Sequence, residues 1–482
     1  MRASAQRFRW AGPAGRHRPD RVGFPHRNGG LATVAGISFE TAGIQYLTLD
    51  FDGQQFVSNP VLVHDEPPEN RIYWGDIHLH SRLSDGCGSP ADHYRFGRDV
   101  MDLDVVAVTD HDTMGFFIPP SWQRQRMHRS YFNQLKSTAT EFHDPGAFVT
   151  LFGYEWTKQP NVGGHINVYF DDVENAELYD SMAPDSNTYE GLFERIAEYN
   201  DRSDGNAVAI PHHTAEATFP FDFSAMTYDD DVAPLVEVYS QWGSSERPGR
   251  DGNRHPVLMG QGEAEEPGHY VQDAFALGHR VGLMASADFH GPRPGHSLLH
   301  TDPHLPSLSE WRRGGLGWGL IWRIWNEPSY PGGLIAFRGS ELSRNEIFEA
   351  LTARRVYGTS QPHRIRVDFA IDSVAVGEQN STVTVQRPDA ERTVEISVAG
   401  TAPLSRVTVV KNNEPWHVIE GTDSLEAELE EYSIRHEIGD AEPVTGMTFD
   451  ADRGTDADSY YLRVRQADGG MAWAGPIWVA VE

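Results

Sequence analysis

The chain has 482 residues, enough for a large catalytic core plus an accessory domain, and sets 40 Lys and Arg against 70 Asp and Glu, a net charge of −30. A field of that sign repels phosphodiester backbones, so nucleic acid is disfavoured as a partner, and a small anionic substrate would need local positive charge such as bound metal ions supply. The single cysteine, Cys87, excludes an internal disulfide framework and a thiolate-rich zinc site. No apolar run approaches the roughly 20 residues of a membrane-spanning helix.

Residues 1–35 are Arg-rich without the apolar core of a secretory signal; they read as an irregular arm, and a cytoplasmic protein is expected. Residues 36–70 form a short β segment: "GIQYLTLDF" and "QQFVSNPVLV" alternate like a hairpin about a "DG" turn, and "HDEPPEN" is a linker. From Arg71 seven short apolar runs follow: "RIYWGDIHLH", "DVVAVTDHD", "FVTLFGYEW", "HINVYF", "AVAIPHH", "LVEVYS" and "RVGLMASADFH". Helix-like or loop segments such as "ADHYRFGRDVMD" and "YEGLFERIAEYN" separate them. Runs this short and apolar predict buried parallel strands with helical crossovers, closed as an α/β barrel over residues 71–362. The Gly-, Pro- and Trp-rich stretch from Arg293 to Gly333 predicts loops. "SRNEIFEALTARR" predicts a helix with Ser343 as N-cap and Glu346 three residues on. Residues 363–482 turn all-β and predict a C-terminal β-sandwich.

Six of the seven runs carry a metal-type ligand at or just beyond one end. They supply His78 and His80, with Asp85 in the loop that follows; Asp110 and His111; Glu155; His165, which begins its run; His212 and His213; and Asp288 and His290. The sixth run, "LVEVYS", offers Glu237, a weaker candidate. In a β/α barrel the C-terminal strand ends share one rim, where such folds place their active sites. Side chains two apart on a strand point the same way, so His78 and His80 enter one site together, as do Asp288 and His290. A lone strand-end histidine is more often a hydrogen-bonded structural residue. Random placement of 22 histidines, however, rarely produces this recurrence. Imidazole and carboxylate without thiolate suit Zn, Mn or Fe.

In this order, "GDIHLH…SDG", "VTDHD", "GYEW", "GHINVY", "IPHH" and "ADFH" resemble the motifs of the PHP (polymerase and histidinol phosphatase) metallohydrolase superfamily, over roughly residues 71–360. The flanking β segments resemble a multidomain bacterial branch that includes carbaryl-hydrolase-like proteins. The resemblance implies a distorted (β/α)7 barrel holding two or three divalent metal ions. It implies a first metal on His78, His80, Glu155 and Asp288. Glu155 would bridge to a second, completed by His165 and His212, and Asp85, His111 and His290 would hold a third. His212 is preferred to His213. Asp110 and His213 stand behind the ligands, and Glu155, Asp288 and His80 are the catalytic candidates. Metal-activated hydroxide would attack an ester whose developing charge the same cations stabilise.

No G-x-S-x-G or phosphate-binding P-loop competes with that chemistry. Cys87 reads as a small residue in a ligand loop rather than a nucleophile. Arg293, Arg338 and Arg323 are candidates to grip an anionic substrate. His296, His300 and His304 read as surface-loop residues, and Trp311, Trp318, Trp322 and Trp325 as an aromatic wall or loop packing. The expected activity is phosphoester hydrolysis of a small molecule, with oligomeric state left open. The alternatives are hydrolysis of an aromatic carbamate or carboxylic ester, and an inactive PHP-like scaffold or binding protein.

Overall fold

Seven apolar segments converge on one buried centre in the computed structural model, which describes residues 6–7, 21–22, 37–51, 54–115, 118–203, 205–301 and 323–482. β1 (Arg71–Asp76), β2 (Val105–Val106) and β3 (Val149–Thr150) run parallel, and β3 leads almost directly into β4 (Phe152–Trp156). β5 (His165–Phe170) is antiparallel to β4 and to β6 (Ala207–His212). β6, β7 (Leu235–Ser240) and β8 (Gly282–Ala285) are parallel again. Isolated bridges, His111 to Glu155 and Leu79 to Phe289, join the two sheets on either side. The expectation of seven parallel strands is corrected at β5. Residues 157–164 between β4 and β5 contain no helix, and a parallel crossover needs a dozen or more residues, so the chain turns straight back.

Helices lie along the connections. α1 (Pro90–Asp99) joins β1 to β2 and starts on a capping box: Asp92 N–H donates to Ser89 Oγ (3.2 Å), and the Asp92 carboxylate accepts from Ser89 N–H (2.9 Å). α2 (Pro120–Arg126) runs through a π-helical turn (Met127–Tyr131) into α3 (Phe132–Phe142), between β2 and β3. α4 (Tyr189–Arg202) joins β5 to β6, and α5 (Val271–Ala276) lies between β7 and β8. Among the described residues no helix is long and apolar enough to cross a membrane.

β9 (Gly333–Gly339) pairs antiparallel with β1 and with β10 (Val356–Ser360). Between β9 and β10, α6 (Arg344–Thr352) is capped by Ser343, whose hydroxyl accepts from Glu346 N–H. The strands that follow include β11 (Arg366–Ile371), β12 (Thr382–Val385), β13 (Arg392–Ala399), β14 (Leu404–Lys411), β15 (Glu414–Glu420), β16 (Ser433–Asp440), β17 (Asp458–Gln466) and β18 (Met471–Val481). β18 pairs with β10, so one ten-stranded sheet runs in the order β15-β14-β17-β18-β10-β9-β1-β2-β3, with β12 on β18. β11, β13 and β16 belong to a separate four-stranded antiparallel sheet. Alternate residues of β11 (Val367, Phe369, Ile371) are buried in the apolar core that also takes Val409, Leu462 and Ala474 of the long sheet.

The N-terminal strands pair antiparallel, Thr48–Phe51 with Gln54–Val57 and Gly43–Gln45 with Val61–Val63. The Tyr46 hydroxyl anchors them by donating to the Gly400 carbonyl beyond β13 (3.0 Å). The whole is a mixed α/β protein with many strands and few helices.

Candidate metal centre

Glu155, on β4, is the hub. Its Oε2 stands 3.1 Å from His78 Nε2 and 3.0 Å from His80 Nε2. Its Oε1 stands 2.7 Å from His165 Nδ1, 3.1 Å from His111 Nδ1 and 3.3 Å from His212 Nε2. Asp288 Oδ1 lies 3.1 Å from His80 Nε2 and 3.4 Å from His78 Nε2. Asp85 reaches His111 Nε2 and His290 Nε2, both at 3.4 Å. All nine residues expected as ligands are buried here, and their donor atoms fall into four groups close enough to share an ion: His80, Asp85, His111 and His290; Glu155, His165, His212 and His213; His78, His80 and Glu155; His78, His212 and Asp288.

The structure differs from the expected partition in three places. His80 also belongs with Asp85, His212 also belongs with His78 and Asp288, and His213, expected behind the ligands, offers a nitrogen beside Glu155 and His165. The position of His165 at the start of its run is explained by direction. β5 runs against its neighbours, and its register sets His165 opposite His212, so the beginning of β5 lies on the same rim as the end of β6.

Three of the ring nitrogens that face away from the centre are held. His78 Nδ1 donates to Glu237 (3.0 Å), His290 Nδ1 to the Asp288 carbonyl (3.2 Å) and His165 Nε2 to the Lys158 carbonyl (3.1 Å). Each bond fixes the tautomer and leaves the other nitrogen's lone pair pointing inward, as a metal-binding imidazole requires. Glu237 is thus a positioning group for His78. Asp110 is also no ligand: it accepts from the Ser81 and Ser84 amides at 2.8 and 3.1 Å and from both hydroxyls at 2.5 Å, pinning the turn that delivers Asp85.

Sequence reasoning missed several supports. Asp76 accepts from the Ala287 and Gly295 amides (3.1 and 2.7 Å), tying the segment that bears Asp288 and His290 to β1. Asp112 does the same for Thr157 and Ser181 (2.9 and 2.6 Å), and Gln241 donates to the Asp288 carbonyl. His93 on α1 is clamped between the Ser89 and His80 carbonyls. Asp76 and Asp112 sit inside the quoted motifs "GDIHLH" and "VTDHD", which was the available signal.

Burial raises the Asp76 and Asp112 carboxyls to about 7. It also opposes ionisation of Glu155, yet His111 and His212 outweigh it and hold that carboxyl well below its ordinary value. Asp85 is likewise held low against burial by His290, His111 and Arg323. Burial, with His78 beside it, lowers His212 to about 4, and burial with Arg323 does the same for His290. His78 goes the other way: Asp288 and Glu237 overcome burial and raise it. Ionised carboxylates around imidazoles are a donor set that fits divalent cations, which would replace the protons held there. Buried His80 Nδ1, His212 Nε2 and His213 Nδ1 lack hydrogen-bond partners. Asp288 and His213 carry positive φ (50° and 35°), backbone strain concentrated at the centre.

The arginine candidates separate. Arg323 contacts Asp85 directly and pairs with Glu327 at 2.9 Å. Arg338 is corrected: it lies on β9, pairs with Asp368 at 2.8 Å, and lines a cavity that contains none of the ligand residues. Arg293 reaches the His300 carbonyl (3.5 Å) and bonds to none of the ligand side chains. His296 and His300 pack edge-on against each other; His304, Trp311, Trp318 and Trp322 lie outside the described residues, and Trp325 is exposed. Burial pushes the Cys87 thiol up to about 12, which removes it as a nucleophile.

A family profile described as "Protein of unknown function (DUF3604)" matches residues 98–234. The chain is similar to two proteins described as uncharacterized, one from Chlamydia trachomatis (24% identical over 456 residues) and one from Chlamydia pneumoniae (26% over 458). Each match covers 93% of this chain, and the chain spans 64% of the length of either relative. Among solved structures it is similar to a two-domain protein from Bacteroides vulgatus containing a predicted PHP-like metal-dependent phosphoesterase, with TM-score 0.39 and 12% identity over 85% of this chain and 96% of that one. A proposed metal-dependent phosphoesterase from Bifidobacterium adolescentis aligns with TM-score 0.23 and 13% identity over 49% of this chain and 94% of that one.

Proposed function

We propose that the chain is a PHP-like metal-dependent hydrolase acting on a small phosphate ester, with two or three divalent ions (Zn, Mn or Fe) in a distorted (β/α)7 barrel. The observation that carries the reading is Glu155, one buried carboxylate whose two oxygens face different groups of histidines. Those groups would hold divalent ions, which would supply Lewis acidity for activating water and for neutralising charge on an ester. The chain's own part is positional. Glu155 and Asp288 draw the imidazoles together, and Glu237 keeps His78 in the tautomer that turns Nε2 inward. Arg323, on Asp85, is the guanidinium best placed to take a phosphoryl oxygen. Trp242, 5.9 Å from His290, and Phe219, 4.4 Å from His165, add apolar walls that limit water.

Those aromatic faces also suit an aryl carbamate or carboxylic ester, the second reading. Purified protein loaded with Mn or Zn is assayed on aryl phosphate mono- and diesters and on an aryl carbamate. Phosphoester turnover abolished by a chelator and restored by metal is expected; carbamate turnover without phosphoesterase activity overturns the first reading. Well-folded protein that retains no metal on elemental analysis points instead to a binding scaffold.

A further inference from the structure

We propose that the chain has a second ligand site, independent of the metal centre: a cleft of about 310 Å³ that binds a small organic phosphate monoester. Five arginines line it: Arg247 and Arg254 from the segment after β7, Arg406 from β14, and Arg463 and Arg465 from β17. In a chain with net charge −30, that convergence runs against the composition. The only carboxylate in the lining, Glu246, is fully engaged. Its Oε1 accepts from Arg463 Nε (2.7 Å) and the Tyr461 hydroxyl (2.6 Å), and its Oε2 from Trp473 Nε1 (2.8 Å). Arg406 and Arg465 pair outward with the exposed Glu420 and Asp423, at 2.6 and 2.7 Å.

Neither Arg247 nor Arg254 makes an ion pair among the described residues, although Arg247 adds to the field that holds the Glu246 carboxyl low, and Arg247 Nε is buried without a hydrogen-bond acceptor. After Glu246 cancels Arg463 and the outer pairs cancel, two guanidinium charges remain, the charge of one phosphate monoester dianion. Guanidinium forks match the oxygens of a phosphate, and the rim arginines can turn inward from their exposed partners. The loop that carries Arg247 is braced from within. Asn253 Nδ2 donates to the Ser244 and Arg247 carbonyls, both at 2.8 Å, and Arg247 Nη2 donates to the Gly252 carbonyl at 3.2 Å. Pro415, Met471 and the 39%-exposed Val418 add apolar surface to the same lining, which favours an organic ester over inorganic phosphate.

The test is calorimetric titration of the intact protein with phenylphosphonate, a non-hydrolysable dianion at mildly alkaline pH, using wild type, R247Q/R254Q and D85A. The expected result is a site weakened about tenfold or more in R247Q/R254Q, retained in D85A, and weakened by salt. Arg254 is exposed and makes no ion pair among the described residues, so R254Q alone is expected to keep the wild-type melting temperature and still bind less tightly. Unaltered binding in R247Q/R254Q, or binding lost only in D85A, overturns the proposal. Succinate or inorganic phosphate binding as tightly as phenylphosphonate overturns the ligand class.

Discussion

Asp85 and Glu237 show how differently two buried carboxylates can serve one centre. Asp85 touches His111, His290 and Arg323 and belongs to no group containing His78. Asp85→Ala is therefore expected to remove about one metal equivalent per chain and to leave the His78 group loaded, as elemental analysis of the purified variant would show. Glu237 acts through the far side of an imidazole. Glu237→Gln keeps an acceptor for His78 Nδ1 but removes the charge behind it, and metal affinity should fall about tenfold in a chelator competition. The ligands themselves were legible because each ends or begins an apolar run in a recognisable motif. Glu237 stood out only as a weaker ligand candidate, because its actual role depends on β7 facing β1 across the ring, a distance of 159 residues in sequence that no local pattern records.

At the scale of elements, strand direction was the hidden variable. An apolar run reads alike forwards and backwards, and only the short helix-free connection from Trp156 to His165 signals that β5 returns rather than crosses over. Arg338 misled for a related reason: β9 pairs with β1 on the side away from β2, and Arg338 lines a cavity that contains none of the ligands. The loop from His80 to Asp85 closes on itself at Gly86, where a Cβ would stand 2.1 Å from the His80 carbonyl oxygen and 2.5 Å from its carbon. Neither atom can yield without moving a ligand. Gly86→Ala should cost about 1–3 kcal/mol of stability, seen in the denaturant midpoint, and should deplete the metal held by Asp85.

Across the whole molecule, one buried ion pair, Glu246 with Arg463, ties the segment after β7 to β17 of the long sheet. Burial alone would raise the Glu246 carboxyl, but Arg463, with Tyr461, holds it below the ordinary 4.5. A carboxyl depressed in the folded state adds stability that is present above 4.5 and is lost as pH falls towards the folded value. Glu246→Gln leaves Arg463 buried without its counter-charge, which should destabilise the protein by about 3 kcal/mol at neutral pH. It should also flatten the acid side of the stability profile, measured by denaturant titration at a series of pH values.

The change in composition near residue 363 suggests a place to cut the chain, but the hydrogen bonding across β10 and β18 argues otherwise. Tyr357, Gly358 and Thr359 face Ala474, Trp473 and Ala472. A chain ending at residue 362 would carry a bare row of amides and carbonyls along β10, beside the aromatic surface that Trp473 now covers by stacking on Tyr239. Such an edge recruits other strands. The shortened protein is expected to self-associate, visible by light scattering, so the eleven-residue β18 acts as a seal over the edge of β10.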